Sequence, residues 1–181
     1  MKATESLDRD HRVIETVMPA IERMAQMAQE GVLAELEHPG RVIDFLREFV
    51  DAYHHGKEEQ HLFPAIEQRG VPRDRGLIMD LLREHGQGRR LVRAMSKSLR
   101  AAESDVDAAR DLSDRAREYL HLIRAHIAKE DSQLWPLAES VLTPEDDARL
   151  ADSYAQVEAA TLGAHGLARY RETAAELVTL G

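Results

Sequence analysis

Six side chains in this sequence have the types and spacing of a metal site. His54 and Glu58 stand four residues apart, as do His126 and Glu130, and single histidines, His11 and His85, precede the two pairs. In a helix, positions i and i+4 lie on one face, a turn apart. A ring nitrogen and a carboxylate so placed can converge on one metal ion, or the carboxylate can bridge two. Four histidines and two glutamates form a nitrogen/oxygen donor set without sulfur. Such a set suits iron or manganese, and zinc can also enter it. Two six-coordinate metals offer about twelve positions, of which this set fills about eight. The rest stay open to water, a bridging oxide or hydroxide, or a small ligand such as dioxygen.

A single His-x-x-x-Glu is a weak signal, because exposed i,i+4 pairs arise by chance on many helices. Here it is repeated. Residues 54–67 read HHGKEEQHLFPAIE and residues 126–139 read HIAKEDSQLWPLAE, an ungapped match at an offset of 72. Arg9-Asp10-His11 resembles Arg83-Glu84-His85 at an offset of 74. The lone histidine precedes its paired histidine by 43 residues in one half and 41 in the other. The chain therefore reads as two helical hairpins. A pseudo-two-fold between them would bring all six donors to the middle of one bundle.

The elements that must position these donors read as helices throughout. Apolar residues recur at spacings of three and four, and no alternating stretch bounded by turns appears. A first helix is expected from about Ser6 to Glu30, with Val13, Val17, Ile21, Met24 and Ala28 as its apolar stripe and Gly31 as C-cap. A second runs from about Arg41 to Gln68, with Val42, Phe45, Phe49, Ala52 and Leu62 as core candidates and Gly70 as its stop. A third opens at Val71-Pro72-Arg73-Asp74 and runs to about Ala102, interrupted by Gly76, Gly86 and Gly88, which cost helix propensity or allow close packing. A fourth runs from Val106 to Leu134. Pro136 is expected to kink or break it, as Pro64 does the second. Thr143-Pro144-Glu145-Asp146 is a helix start, with an N-cap threonine, proline at the first position and acids in the first turn. A further break is expected near Gly163 or Gly166. The fold class is all-α: an up-down four-helix bundle over residues 1–142, with a helical extension over residues 143–181 packed on it.

Composition narrows the function. The 181 residues carry a formal net charge of -9, so the mean field repels phosphate, and neither nucleic acid nor an anionic membrane is an expected partner. The absence of cysteine excludes disulfides, thiol catalysis, zinc fingers and cysteine-ligated iron–sulfur clusters. The first ten residues are polar and charged, unlike a secretory leader, and no apolar run approaches the roughly 20 residues that span a bilayer. The expectation is a soluble cytoplasmic protein. There is no Gly-x-Ser-x-Gly and no phosphate loop of known spacing.

The pattern His11, His54-x-x-x-Glu58, His85, His126-x-x-x-Glu130 resembles the hemerythrin-like (HHE cation-binding) proteins. The flanking words YHHGKEEQHLFPAIEQRGVP, LLREHGQGRRLVRAM and LIRAHIAKEDSQLWPLAESVL are similar to the bacterial branch. The resemblance covers roughly residues 5–142. It implies a four-helix bundle around a non-heme di-iron centre that binds dioxygen or serves nitric oxide and peroxide responses or iron handling. The chain departs from the oxygen carriers, which hold five histidines and a His-x-x-x-His pair on the third helix. Here the position four before His85 is Leu81. The oxygen carriers also use His-x-x-x-x-Asp on the fourth helix, which would select Asp131. The internal repeat selects Glu130, with Asp131 behind it or as an alternative.

Other polar residues have weaker claims. His55 is rotated about 100° from His54 and falls on Ile127 in the repeat, so it reads as an added or switching ligand at most. His61, two turns from His54, is a candidate proton relay. His121 reads as surface, His38 as a solvated loop residue, and His165 and Tyr170 as packing, with capping of the bundle's open end as the alternative. Glu15 forms another His-x-x-x-Glu with His11. Tyr53 and Tyr119 read as core before gates, Trp135 as packing, and Arg89, Arg90 and Arg93 as a solvated face.

Three function classes follow. The leading expectation is a protein holding two iron ions, with manganese or zinc as substitutes, that binds dioxygen, nitric oxide or peroxide for sensing, scavenging or iron handling. A di-iron enzyme turning over peroxide or nitric oxide needs the same ligands. A structural bundle would use metal only to fold.

Overall fold

The structure is a computed structural model that describes residues 1–33, 39–102, 104–163 and 166–179. His38 and His165 lie outside the described residues. Six helices and no strand occur among them: α1 (Lys2–Glu30), α2 (residues 39–68), α3 (Gly76–Leu99), α4 (residues 106–141), α5 (Pro144–Leu162) and α6 (Gly166–Thr179). Helices α1 to α4 form an up-down bundle in which α4 packs on both α1 and α3, and α2 closes the ring between them. No described helix is long and apolar enough to cross a membrane.

Local sequence sets most helix ends. Gly31 takes a left-handed conformation, φ 73°, and its N–H returns to the Met27 carbonyl, a geometry that favours glycine. Thr143 and Asp146 form a reciprocal capping box at the start of α5. Helix α3 begins at Gly76 and runs unbroken through Gly86 and Gly88, with the buried backbone of Gly88 packed beside Tyr119.

The prolines act differently from the expected kink or break. Both helices continue past them, α2 to Gln68 and α4 to Val141. Just before each proline the helix widens into a π-turn, Glu58–Leu62 in one and Glu130–Leu134 in the other. The Phe63 N–H bonds the Glu58 carbonyl five residues back, and the Trp135 N–H bonds that of Glu130. Proline offers no N–H and its ring crowds the preceding turn, so a one-residue slip lets the helix pass. Both slips start at the repeat's glutamate.

A longer π-stretch, Leu46–His55, precedes the first slip. It overturns one core expectation. Ala52 is exposed, whereas Phe49, Val50, Tyr53, His54 and His55 are buried. Bonds to i+5 rotate successive residues by less than the α-helical 100°, so the inward face moves from 52 to 53–55.

The core is divided. One apolar cluster holds Val13, Val17, Ile21, Met24, Phe49, Leu91, Leu112 and Ile123. The other holds Leu7, Leu62, Phe63, Ile66, Ile78, Leu81 and Leu134. Between them all four bundle helices contribute polar side chains to one buried layer: Asp10, His11, His54, His55, Lys57, Glu58, His85, His126 and Glu130. Helices α5 and α6 lie along α1. Asp147 accepts from the Lys2 and Ala3 N–H groups and so caps α1.

Candidate metal centre

The buried layer brings together all six residues of the repeated pattern. His11, Glu58 and Glu130 have no exposed surface, and His54, His85 and His126 have 2% or less. The layer divides into two groups. His11 and His54 lie on one side, ring centroids 4.9 Å apart, and His85 and His126 on the other, 4.8 Å apart.

The two glutamates span the groups. One oxygen of Glu130 lies 3.0 Å from His11 Nε2 and the other 3.1 Å from His126 Nε2. Glu58 Oε2 lies 3.9 Å from His54 Nε2 and 3.4 Å from His85 Nε2. Each carboxylate thus reaches one histidine of its own hairpin and one of the other. Ligand atoms of His11, His54 and Glu130 fall within 4.8 Å of one another, as do those of Glu58, His85, His126 and Glu130.

Behind each ring stands a second carboxylate, on the Nδ1 side. His11 Nδ1 is 3.0 Å from Asp131, His54 Nδ1 3.4 Å from Asp10, His85 Nδ1 2.7 Å from Glu59, and His126 Nδ1 2.9 Å from Glu84. Such partners fix the tautomer and leave Nε2 free to bind a metal. The network respects the pseudo-two-fold. Within each hairpin the acid before the lone histidine serves the paired histidine: Asp10 serves His54, and Glu84 serves His126. Between hairpins the acid after the paired glutamate serves the lone histidine: Asp131 serves His11, and Glu59 serves His85. Asp131 therefore faces the outer edge of His11, while Glu130 faces the centre.

The acids are held in turn. Lys57 forms an ion pair with Asp10, and Lys129 with Glu84. Trp135 Nε1 donates to Asp131 at 3.0 Å. Arg89 donates to Asp51 at 2.6 Å and to Glu59 at 2.5 Å. Arg89 is thus half-buried and structural, against the expectation of a solvated face, which does hold for the exposed Arg90 and Arg93.

Burial and neighbours split the titrations. Burial pulls His54 down to about 3 despite Asp10. Burial, with His55 and His126 nearby, puts His85 well below its usual range. Burial also opposes charge on His126, but Glu130 and Glu84 outweigh it and hold the ring up at about 9. His11 is raised in the same way, burial being outweighed by Glu130 and Asp131. Burial and the Glu130 charge push Glu58 well up, whereas His126 and His11 overcome burial and hold Glu130 well down.

The remaining candidates fall elsewhere. His55 joins the layer and stacks on His85, centroids 3.8 Å apart. His61 is half-buried beside Tyr154, and His121 is exposed. Glu15 pairs with Arg12 on the surface. Tyr53 accepts from Lys57 at 3.2 Å, Tyr119 is core, and Tyr170 stacks on Phe49 and donates to Glu48. Trp135 has a polar task besides packing. Of the outer carboxylates the sequence singles out only Asp131; Asp10, Glu59, Glu84 and Lys57 did not stand out, although Asp10/Glu84, Lys57/Lys129 and Glu59/Asp131 are matched pairs of the repeat.

A metal fits this site on the evidence of its orphaned atoms. His54 Nε2 and both Glu58 oxygens are buried without a hydrogen-bond partner. Buried polar groups are normally satisfied, and unpaired charge is costly to bury. A divalent cation among these atoms would satisfy them together.

Comparison with known proteins agrees. The hemerythrin HHE cation-binding domain profile matches residues 2–138. Uncharacterised proteins of Mycobacterium bovis and Mycobacterium tuberculosis are 28% identical over 169 residues, covering 91% of this chain. The chain spans only 64% of the length of these relatives. No solved structure matches it significantly.

Proposed function

The chain belongs to the hemerythrin HHE cation-binding family, and on that premise we propose that its buried layer holds two iron ions and binds a small ligand, dioxygen, nitric oxide or peroxide. The observation that carries this reading is the set of unpartnered donor atoms at the centre, arranged as two histidine groups joined by two carboxylates. His11 and His54 would hold one ion and His85 and His126 the other, with Glu58 and Glu130 reaching both. Bound iron supplies redox-active coordination positions for the small ligand. The protein's own residues do the rest. The outer acids orient the rings through Nδ1. The two apolar clusters above and below the layer exclude bulk water. Complete burial of His11, Glu58 and Glu130 restricts the centre to very small ligands. Sensing, scavenging or iron handling would all use this chemistry, and manganese or zinc would enter the same donors.

The test is anaerobic loading with ferrous iron, followed by optical spectra in air, with nitric oxide, with peroxide and after reduction. About two irons per chain and a stoichiometric, reversible spectral change are expected. Failure to take up iron would overturn the proposal. Steady peroxide turnover well above that of free iron would replace the binding role with an enzymatic one.

A further inference from the structure

We infer that Trp135 is a redox-active side chain: it supplies an electron to the buried layer when peroxide meets a lone ferrous ion there, and so keeps hydroxyl radical from forming beside the ligands. The inference rests on the metal reading above and adds a residue outside the donor set.

Trp135 is linked to His11 in two ways. The two rings are in near contact, centroids 5.3 Å apart and planes inclined by 31°. They also share one acceptor. Asp131 Oδ1 accepts the indole N–H at 3.0 Å and faces His11 Nδ1 at 3.0 Å. The far nitrogen of His11 faces Glu130 at the centre. A continuous path of rings and hydrogen bonds thus runs from the indole to the metal layer. Its outer end is open. Trp135 is 9% exposed and lines a surface cavity of about 340 Å³ with Glu5, Asp8 and Arg9.

The other hairpin lacks this path. The position matching Trp135 is Phe63, which is fully buried and has no N–H. Glu59, the match of Asp131, instead accepts from Arg89. Tyr53 and Tyr154 stand over the Lys57 amine, 4.3 Å and 5.2 Å from it, and a cation there opposes loss of an electron. Indole is the most easily oxidised of the aromatic side chains, and only Trp135 has a carboxylate ready to take its proton.

The balance is simple. Peroxide needs two electrons and two solvent protons to break its O–O bond and leave as two waters. One electron comes from the ferrous ion, which becomes ferric, and the other from Trp135. Trp135 releases its N–H proton to Asp131 Oδ1. Asp131, 36% exposed, passes that proton to water. The neutral indole radical lies at the surface, where a hydrogen-atom donor such as ascorbate restores it. Without Trp135 only one electron is at hand, and the same bond breaks into hydroxide and hydroxyl radical next to His11 and His54.

The test loads anaerobic protein with one ferrous equivalent per chain, adds one equivalent of peroxide and freezes it for electron paramagnetic resonance. Trp135 is the sole tryptophan, so its radical is identified by a signal that narrows in protein made with ring-deuterated tryptophan. That signal is expected in wild type and absent from the zinc-loaded protein. Trp135→Phe should bind ferrous iron and lose the signal, while spin-trapped hydroxyl radical and oxidised histidine in the His11 and His54 peptides rise several-fold. A Trp135 that only packs or positions Asp131 gives no such radical. No signal, a signal indifferent to deuteration, the same signal with zinc, or no rise of hydroxyl radical in Trp135→Phe would overturn the inference and leave the metal reading standing. No ferrous uptake by the wild type would overturn both. If Trp135→Phe does not fold, the deuterated wild type decides alone.

Discussion

The two hairpins share a scaffold and differ in what they place around it. In each, a lysine one residue before the glutamate holds the acid that backs the paired histidine: Lys57, Asp10 and His54 in one, Lys129, Glu84 and His126 in the other. Both helices slip into a π-turn at the same repeat position. Yet His54 is pulled down to about 3 by burial, whereas His126 is held at about 9 because Glu130 and Glu84 outweigh burial. The cause is contact. Glu130 lies 3.1 Å from its own histidine, and Glu58 lies 3.9 Å from its own. Repetition thus supplies a common frame, and small differences in approach decide where protons sit when no metal displaces them.

The largest expected effect comes from the carboxylate that touches both groups. Glu130→Ala should lose both equivalents of metal, and Glu58→Ala should also lower metal content sharply, while the exposed His121→Ala leaves it unchanged. Metal analysis per chain checks this, and equal content in all three would break the assignment.

Arg89 should matter on one side only. It anchors Glu59 and Asp51, which face His85 and His55. Arg89→Ala should therefore weaken one equivalent by about 10–100-fold and spare the other. Competition titrations resolve the two steps, and uniform weakening would contradict the division.

The contrast between His54 and His126 yields a pH dependence. Metal binds neutral imidazole, so below about 9 it must displace a proton from His126. Affinity should rise about tenfold per pH unit between 7 and 9 for that proton and level off above. His54, neutral throughout this range, adds no slope. An affinity that falls as pH rises would refute the sign.

The smallest effect lies outside both hairpins. Thr143→Ala removes the α5 capping box and should lower unfolding stability by about 1 kcal/mol with metal content intact. Chemical denaturation measures it.

The fold was legible where chain punctuation is local. Gly31, Thr143-Pro144 and the apolar stripe of α1 depend on neighbours within a turn or two, so the sequence displays them. Ala52 misled because α-helical periodicity fails across a π-stretch, and Pro64 and Pro136 were the available sign that the register would slip. In the site, His11, His54, Glu58, His85, His126 and Glu130 stood out through repetition, and the structure brings them together. Asp131 was legible as the residue behind Glu130, but Asp10, Glu59, Glu84 and Arg89 were not, because their partners are on other helices and only three-dimensional packing pairs Glu59 with His85 or Arg89 with Glu59. His55 breaks the repeat, so the sequence offers it only as an added or switching ligand, and the structure buries it in the same layer.

The most direct test of a two-metal centre is anomalous diffraction at the iron edge from crystals of iron-loaded protein. The account expects two peaks in the polar layer, one against His11 and His54 and one against His85 and His126, both in reach of Glu58 and Glu130. A single peak, or iron bound only at surface carboxylates, would contradict it.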